Sequence, residues 1–479
     1  MTPAPAFRRP PARIVAPLAL LALAAAVIGA RSTGATPPSA AARTAVPSPA
    51  QLDDPMDAAG GLDIRSVSWA SDSATVTQAV RFWSGVGDAR ITYYTYLDTD
   101  GDGIADQWIL VEYHPDAGAV VAGVGPAGTA HLRPAAVRRP DSTTVTVSFP
   151  RTWMGESGVS GWFVASAAPA GTGQPVVDLV PDVPTVRPPF PVRVAGTDRV
   201  QTAVSASFFA DGRADAVVLA RSDDFADALA GAPLAVDKHA PLLLTGSRSL
   251  DPSTLAEIRR VLAPGGTVYL LGGSGALSDD VESELDTDGI ATIRYGGQDR
   301  FQTSLDILRE GLGQVSTVLL ATGAGFADAL SAGAAAAAHR DGLLLTDGSR
   351  LPPATAGYLA AHPDVQTFAI GAPAARAAPA AVPVVGVDRY DTSARVATSF
   401  FSGPVVVGVA TGLAFPDALA GSVTVGSARG PVLLTDPATL PPPVADYLRT
   451  LPSATVLLFG GSAAVGPAVA RSVAAAVGR

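Results

Sequence analysis

No cysteine occurs among the 479 residues. Disulfides, thiolate zinc sites, cysteine nucleophiles and a lipid-modified N-terminal cysteine are therefore excluded. Lysine is nearly absent as well, and Lys238 is the only one, so almost all positive charge is arginine. The net charge is −10, and it becomes −13 if the segment holding Arg8, Arg9 and Arg13 is removed. That balance excludes a general nucleic-acid binder, which needs a basic face. It also excludes diffuse attraction to an anionic surface, so an anionic ligand would have to be met by local arginines or through a metal. The five histidines, His114, His131, His239, His339 and His362, are scattered, with no H-E-x-x-H and no G-x-S-x-G phrase. No catalytic residue is assigned, and the reading leans away from an enzyme, although a triad assembled only in space leaves no trace in sequence.

Long apolar runs are missing too. The longest candidate, Ile14 to Ile28, has 15 residues, short for a membrane span. It follows Arg8, Arg9 and Arg13 and precedes small residues, so residues 1–30 read as a signal peptide, with cleavage after Ala30, Ala35 or Ala42. The alternative is an uncleaved anchor. The C-terminus carries neither a hydrophobic tail nor an LPxTG-like sorting motif. The expectation is a secreted protein that has no membrane partner after cleavage and stays on the cell surface by noncovalent binding.

What is abundant is small and apolar: 48% of residues are hydrophobic, with 49 glycines and 41 prolines, enough to fill cores joined by many turns. Residues 31–51 are rich in Ala, Pro, Ser and Thr and read as a flexible linker. A first domain is expected over 52–180. Its strand-like segments are Ala74 to Trp83, Arg90 to Leu97, Gln107 to Tyr113, Thr143 to Phe149 and Gly161 to Ala165, separated by turn residues. That pattern predicts an all-β sandwich. A proline-rich boundary follows at 181–192.

The remainder repeats itself. Gly196-Thr197-Asp198-Arg199 recurs as Gly297-Gln298-Asp299-Arg300 and Gly386-Val387-Asp388-Arg389. Phe225-Ala226-Asp227-Ala228-Leu229 recurs as Phe326-Ala327-Asp328-Ala329-Leu330 and Phe415-Pro416-Asp417-Ala418-Leu419. Leu243-Leu244-Thr245 recurs as Leu344-Leu345-Thr346 and Leu433-Leu434-Thr435. All three phrases move by the same two offsets, which chance does not produce. Each copy has the length of a small domain, with boundaries at 193–293, 294–383 and 384–479. In the first copy, Ala216 to Ala220, Leu242 to Thr245 and Thr267 to Leu271 read as strands buried on both faces. Between them, Asp223 and Asp224 can cap a helix starting near Phe225, Asp251-Pro252 opens one toward Leu262, and Ser278 caps one toward Leu285. Alternating strands and helices predict a parallel sheet, so the fold class is multi-domain: a β-sandwich followed by three α/β Rossmann-like, or flavodoxin-like, repeat units.

These phrases resemble the type 2 cell-wall-binding repeat, with its R-x-x-G-x-D-R-x-x-T-A opening, F-A-D-A-L phrase, L-L-T strand and strand ending in G-G. The opening here runs from Arg193 to Ala203. The resemblance covers roughly residues 193–479. It implies a compact pseudo-threefold arrangement and noncovalent attachment to a secondary wall polymer, a cell-wall polysaccharide or teichoic-acid-like chain, displaying the N-terminal β-domain. The alternatives are a wall hydrolase (an amidase or protease) targeted by the repeats, and an adhesin whose sandwich binds carbohydrate or protein. Four departures from the pattern stand out. Ser304 replaces the alanine of the first copy, Ile370-Gly371-Ala372 replaces the paired glycines, Pro416 enters the third F-x-D-A-L phrase, and the third copy lacks the opening arginine.

Two sets of repeated residues are candidate polymer ligands. Asp198-Arg199, Asp299-Arg300 and Asp388-Arg389 each open a helix, whose free N–H groups suit an anion, with the arginine adding a contact. The alternative is that the aspartates cap helices while the arginines bridge between copies. Asp227, Asp328 and Asp417 stand in the first turn of a helix beyond a strand end, where open α/β sheets bind ligands. They also suit the helix dipole alone. Gly272-Gly273-Ser274-Gly275 reads as a tight turn rather than a phosphate loop. In the first domain, Asp98, Asp100, Asp102, backbone Ile104 and Asp106, with Gly103 at position 6, match a calcium loop for one structural Ca²⁺. Position 12 is Ile109, so the bidentate glutamate is missing, and Glu112 is the nearest substitute. The alternative is an Asp/Gly hairpin turn.

Overall fold

The computed structural model describes residues 51–54, 63–83, 91–98, 107–114, 119–126, 133–154, 161–167, 177–180, 191–207, 214–451 and 454–477. No described helix is long and apolar enough to cross a membrane.

The first domain consists of two antiparallel sheets. One runs Gln51–Asp53, Ile64–Ser71, Thr75–Phe82, Thr144–Pro150, Ala136–Arg138. The other runs Val177–Val180, Gly161–Ala167, Ile91–Asp98, Gln107–His114, Ala119–Pro126, Arg133–Pro134. Thr75–Phe82 alternates as a half-buried strand must, with Val76, Gln78, Val80 and Phe82 buried. Val76, Val80 and Phe82 share one apolar cluster with Tyr93, Leu97, Ile109, Val111, Trp162 and Val164 of the other sheet. Gln78 Nε2 donates to Thr95 Oγ1 at 2.7 Å across that core. The five strands read from sequence are present with ends shifted by one or two residues. Ile64–Ser71 and Ala119–Pro126 were not foreseen. The candidate calcium loop joins Ile91–Asp98 to Gln107–His114, which pair antiparallel with Leu97 opposite Gln107. Asp100, Asp102, Ile104 and Asp106 lie outside the described residues, and for Asp98 only its place at the strand end is described.

Each repeat folds into an α/β unit on a four-stranded parallel sheet. The first sheet is ordered Leu242–Thr245, Ala214–Arg221, Leu262–Leu271, Ala291–Tyr295. The second is Gly342–Thr346, Thr317–Thr322, Gln366–Ile370, Val382–Val384. The fourth strand in each case is the lead strand of the next repeat. The third sheet, Val432–Thr435, Val406–Thr411, Thr455–Phe459, takes its fourth strand from the other end of the region, Val192–Val194. The sheets are thus out of phase with the sequence repeats by one strand. The lead strand of the first copy closes the third sheet.

Three helices, one per unit, pack against one another: Gly231–Asp237, Ala327–His339 and Pro416–Ser427. Their composition explains the close approach. A Cβ on Gly426 would crowd Ala337 of the second unit and reach Val236 of the first. Ser422 Oγ, buried, donates to the Leu330 carbonyl of the neighbouring helix at 3.1 Å. In the first unit the regular helix begins at Gly231, not near Phe225. Pro233 lacks the N–H that would bond the Leu229 carbonyl, so a ladder running from Phe225 is interrupted. Asp251 does cap Pro252–Val261, accepting from Ser253 N at 2.8 Å. Ser278 holds the position before Asp279–Thr287, but its side chain makes no capping bond. The acidic first turn of that helix, Asp279, Asp280 and Glu282, suits the dipole instead.

Candidate functional site where the three units meet

The Gly-x-Asp-Arg opening builds the same device three times. The glycine N–H donates to a threonine hydroxyl six residues on: Gly196 to Thr202 at 3.1 Å, Gly297 to Thr303 at 3.1 Å, Gly386 to Thr392 at 3.2 Å. The aspartate side chain then accepts from a helix N–H: Asp198 from Gln201, Asp299 from Gln302, Asp388 from Asp391. All three aspartates are exposed caps.

The arginine that follows reaches back over its own sheet. Arg199 Nη1 donates to the Ser222 carbonyl at 2.8 Å, Arg300 to Gly323 at 2.7 Å and Arg389 to Gly412 at 2.5 Å. Its guanidinium lies over a phenylalanine of the preceding unit: Arg300 over Phe225 at 5.3 Å, Arg389 over Phe326 at 5.9 Å and Arg199 over Phe415 at 5.9 Å. The arginines therefore bridge between copies, in a cycle that includes the join from third unit to first. The phenylalanines meet one another, with ring centroids 5.6, 5.6 and 6.1 Å apart. They are only partly buried. Sequence reading passed over them, although their recurrence in all three copies at one place in the phrase was the available signal.

Asp227, Asp328 and Asp417 stand two residues beyond these rings. Each packs against the glycine that ends a strand of its own unit, Gly272, Gly371 or Gly460, at φ of +96°, +82° and +103°. A Cβ on any of these glycines would collide with the carboxylate, and an L side chain would strain at that φ. Withdrawal from water pushes the Asp328 carboxyl up to about 6, against the pull of Arg389. Burial also raises Asp417, where the Thr202 hydroxyl and the Arg199 charge work the other way.

The opening arginines have a different task. Arg193 donates to the Gly460 and Val465 carbonyls at 2.6 and 2.8 Å, and Arg294 to Gly272 and Leu277 at 3.0 and 2.8 Å. Each ties a lead strand to the strand-end turn beside it. In the third copy Pro383 stands at this place and cannot do so.

Among the described residues, no group of three or more His, Asp or Glu side chains could hold a metal ion. His339 Nε2 faces the Phe400 carbonyl at 2.7 Å, and His362 Nδ1 faces that of Tyr358 at 2.8 Å. Both contacts are to backbone.

The family model for cell wall binding domain 2 matches residues 193–282, 294–376 and 384–470, just over half of the chain. The chain belongs to this family. The three matches follow the three sequence repeats and are offset from the sheets by the one shared strand. A 287-residue stretch, 59% of this chain and 57% of its relative, is 25% identical to the N-acetylmuramoyl-L-alanine amidase LytC of Bacillus subtilis. A 160-residue stretch is 34% identical to the amidase enhancer of the same organism, covering 33% of this chain and 22% of that protein. The chain thus spans little more than half the length of the first of these relatives and less of the second. Two solved structures are similar in fold, Cwp8 and Cwp6 from Clostridium difficile. Their TM-scores are 0.57 and 0.56 and their identities 18% and 19%. Cwp8 is matched over 85% of this chain and 89% of its own, and Cwp6 over 87% and 68%.

Proposed function

We propose that this protein is exported and anchors itself noncovalently to the cell wall by binding a secondary, anionic wall polymer, displaying its N-terminal domain outward. The three units act as one Rossmann-like assembly in a pseudo-threefold arrangement, and the polymer lies over their meeting point. The observation that carries this reading is the cyclic stacking of Arg199, Arg300 and Arg389 on Phe415, Phe225 and Phe326. Each guanidinium spends one N–H on a backbone carbonyl and one face on a ring, and among the described residues no carboxylate is paired with it. Donors left on such a group suit phosphate or carboxylate. The partly exposed rings beside them offer a face for sugar C–H groups. Asp198, Asp299 and Asp388 fix the helix ends that carry the arginines, and Asp227, Asp328 and Asp417 line the same crevices toward sugar hydroxyls. The N-terminal part is a β-sandwich whose loop of Asp98, Asp100, Asp102, Ile104 and Asp106 holds one structural Ca²⁺.

The test is cosedimentation of the full secreted chain with purified walls before and after their secondary polymers are stripped. Polymer-dependent pelleting is expected. Equal pelleting with stripped walls, or none with either, would sink the reading.

A further inference from the structure

The three units are built on one plan but differ at the turn that ends the strand, and of the two arginines found there Arg294 is ion-paired to Glu282 at 2.7 Å. In the first and third units the turn ending the strand, at Gly272 or Gly460, carries a buttressing arginine on its carbonyl, Arg294 or Arg193. Pro383 leaves the equivalent turn of the second unit, at Gly371, without one, and the chain passes directly into the short helix Ala372–Ala377. Asp328 sits behind that turn. The charged groups on the elements packed around it can be named. Arg389 opens the neighbouring helix Arg389–Phe400, with Asp388 capping it, and lies over Phe326, two residues from Asp328, while Asp391 and Arg395 farther along that helix are paired with each other at 3.0 Å. Arg300 opens its own unit and is bonded to Gly323. Arg376 on Ala372–Ala377 is turned to Ser349 Oγ at 3.0 Å. Asp227 and Asp417 hold the matching places on the adjoining units. The strands Thr317–Thr322, Gln366–Ile370 and Val382–Val384 contribute no charge. Of these groups, Arg389 is the one that works against the burial of Asp328.

Resting on the wall-polymer reading above, we propose that the crevice between the second and third units binds an anionic group of the polymer, phosphate or carboxylate, together with a proton on Asp328, so that anchoring tightens as the surroundings become mildly acidic. Arg389 is the cation of this crevice. While Asp328 is ionised, its charge opposes an anion brought to Arg389. Protonation removes that opposition and leaves Arg389 to the ligand. Because Asp328 already titrates at about 6, the change falls within the range a wall surface can reach. Reciprocally, a bound anion makes ionisation harder still, so binding draws a proton from solution.

The test uses the full secreted chain with poly(glycerol phosphate) and, separately, a glucuronic-acid polymer, titrated calorimetrically at pH 5, 6.5 and 7.5. At each pH two buffers of different ionisation enthalpy are used, to count protons. The expected result is binding up to about tenfold tighter at pH 5, a tenfold change for each unit by which the bound anion raises Asp328, with net proton uptake near pH 6.5. Asp328→Asn should bind at pH 7.5 nearly as wild type does at pH 5 and take up no proton, whereas Asp227→Asn should keep the pH dependence. Near-UV circular dichroism confirms that both variants are folded. An unchanged pH dependence and proton count in Asp328→Asn overturns the inference while leaving anchoring intact. Binding of neither polymer at either pH overturns the anchoring reading, and this inference with it.

Discussion

Arg193 Nη1 donates to the carbonyl of Gly460 at 2.6 Å, joining residues 267 positions apart. The same guanidinium holds Val465, and the strand carrying it pairs with Thr455–Phe459. This is the seam at which the cycle of three units closes. Replacing Arg193 by glutamine should cost about 2 kcal/mol, since charge-assisted bonds to two carbonyls are lost from a half-buried site. Denaturant unfolding of the full chain measures it. A change within error would mean that Val192–Val194 holds the seam unaided.

Gly371→Ala should destabilise by more than Gly265→Ala. Both glycines have positive φ, but a methyl at Gly265 meets nothing within 4 Å, while one at Gly371 collides with Asp328. Gly265→Ala should cost about 1 kcal/mol for the positive-φ backbone alone, and Gly371→Ala roughly twice that or more. Adding Asp328→Ala should recover part of the difference, a coupling that a double-mutant cycle reads directly. Additive effects would separate the glycine from the aspartate.

Asp328 also makes a prediction about stability. Its folded value lies at about 6, above the ordinary 3.8. A carboxyl raised on folding binds its proton more tightly in the native state, so the native state gains at low pH. The advantage is complete below about 4 and disappears as pH rises through 6. Asp328→Asn should therefore raise the melting temperature at pH 7.5 and change it little at pH 4. The gain should be of order 1–2 kcal/mol, the side chain being only partly withdrawn from solvent. Equal shifts at both pH values would contradict it.

The calcium loop is tested by chelation. Four carboxylates within nine residues repel one another when the loop is empty, and a cation removes that cost. With free Ca²⁺ about 100 times its dissociation constant, the first domain should gain about 2.7 kcal/mol. Chelator should lower one melting transition of the full chain, and Asp100→Ala should abolish that response. Identical curves with and without chelator would reduce the segment to a hairpin turn.

Much of this was legible in sequence for a definite reason. The repeated phrases lie where backbone geometry leaves no choice: a cap at Asp388, a buried strand at Leu433-Leu434-Thr435, a tight turn at Gly272. Local chemistry fixes each, so each could be read locally. The exchange of lead strands could not. Val192-Arg193-Val194 looks like the opening of the first copy, and nothing in its residues says that its hydrogen-bond partners are Leu457 to Phe459. The stacking of Arg389 on Phe326 was hidden in the same way, since both residues recur but only the fold brings them together. That the third copy lacks its opening arginine is visible in the sequence, where Pro383 stands instead. Only the fold shows that the turn that arginine would have reached is the one at Gly371, against which Asp328 packs.

Because every unit borrows its last strand from the next, and the third borrows from the first, the number of copies is not free. A stacked array of repeats can lengthen at either end, each new member covering the one before. Here both ends are used up in joining each other. A chain with two copies would leave an unpaired strand edge, and a fourth would have no place where Phe225, Phe326 and Phe415 meet. Duplication can enlarge such a protein only by adding a complete triplet or by growing what hangs from it.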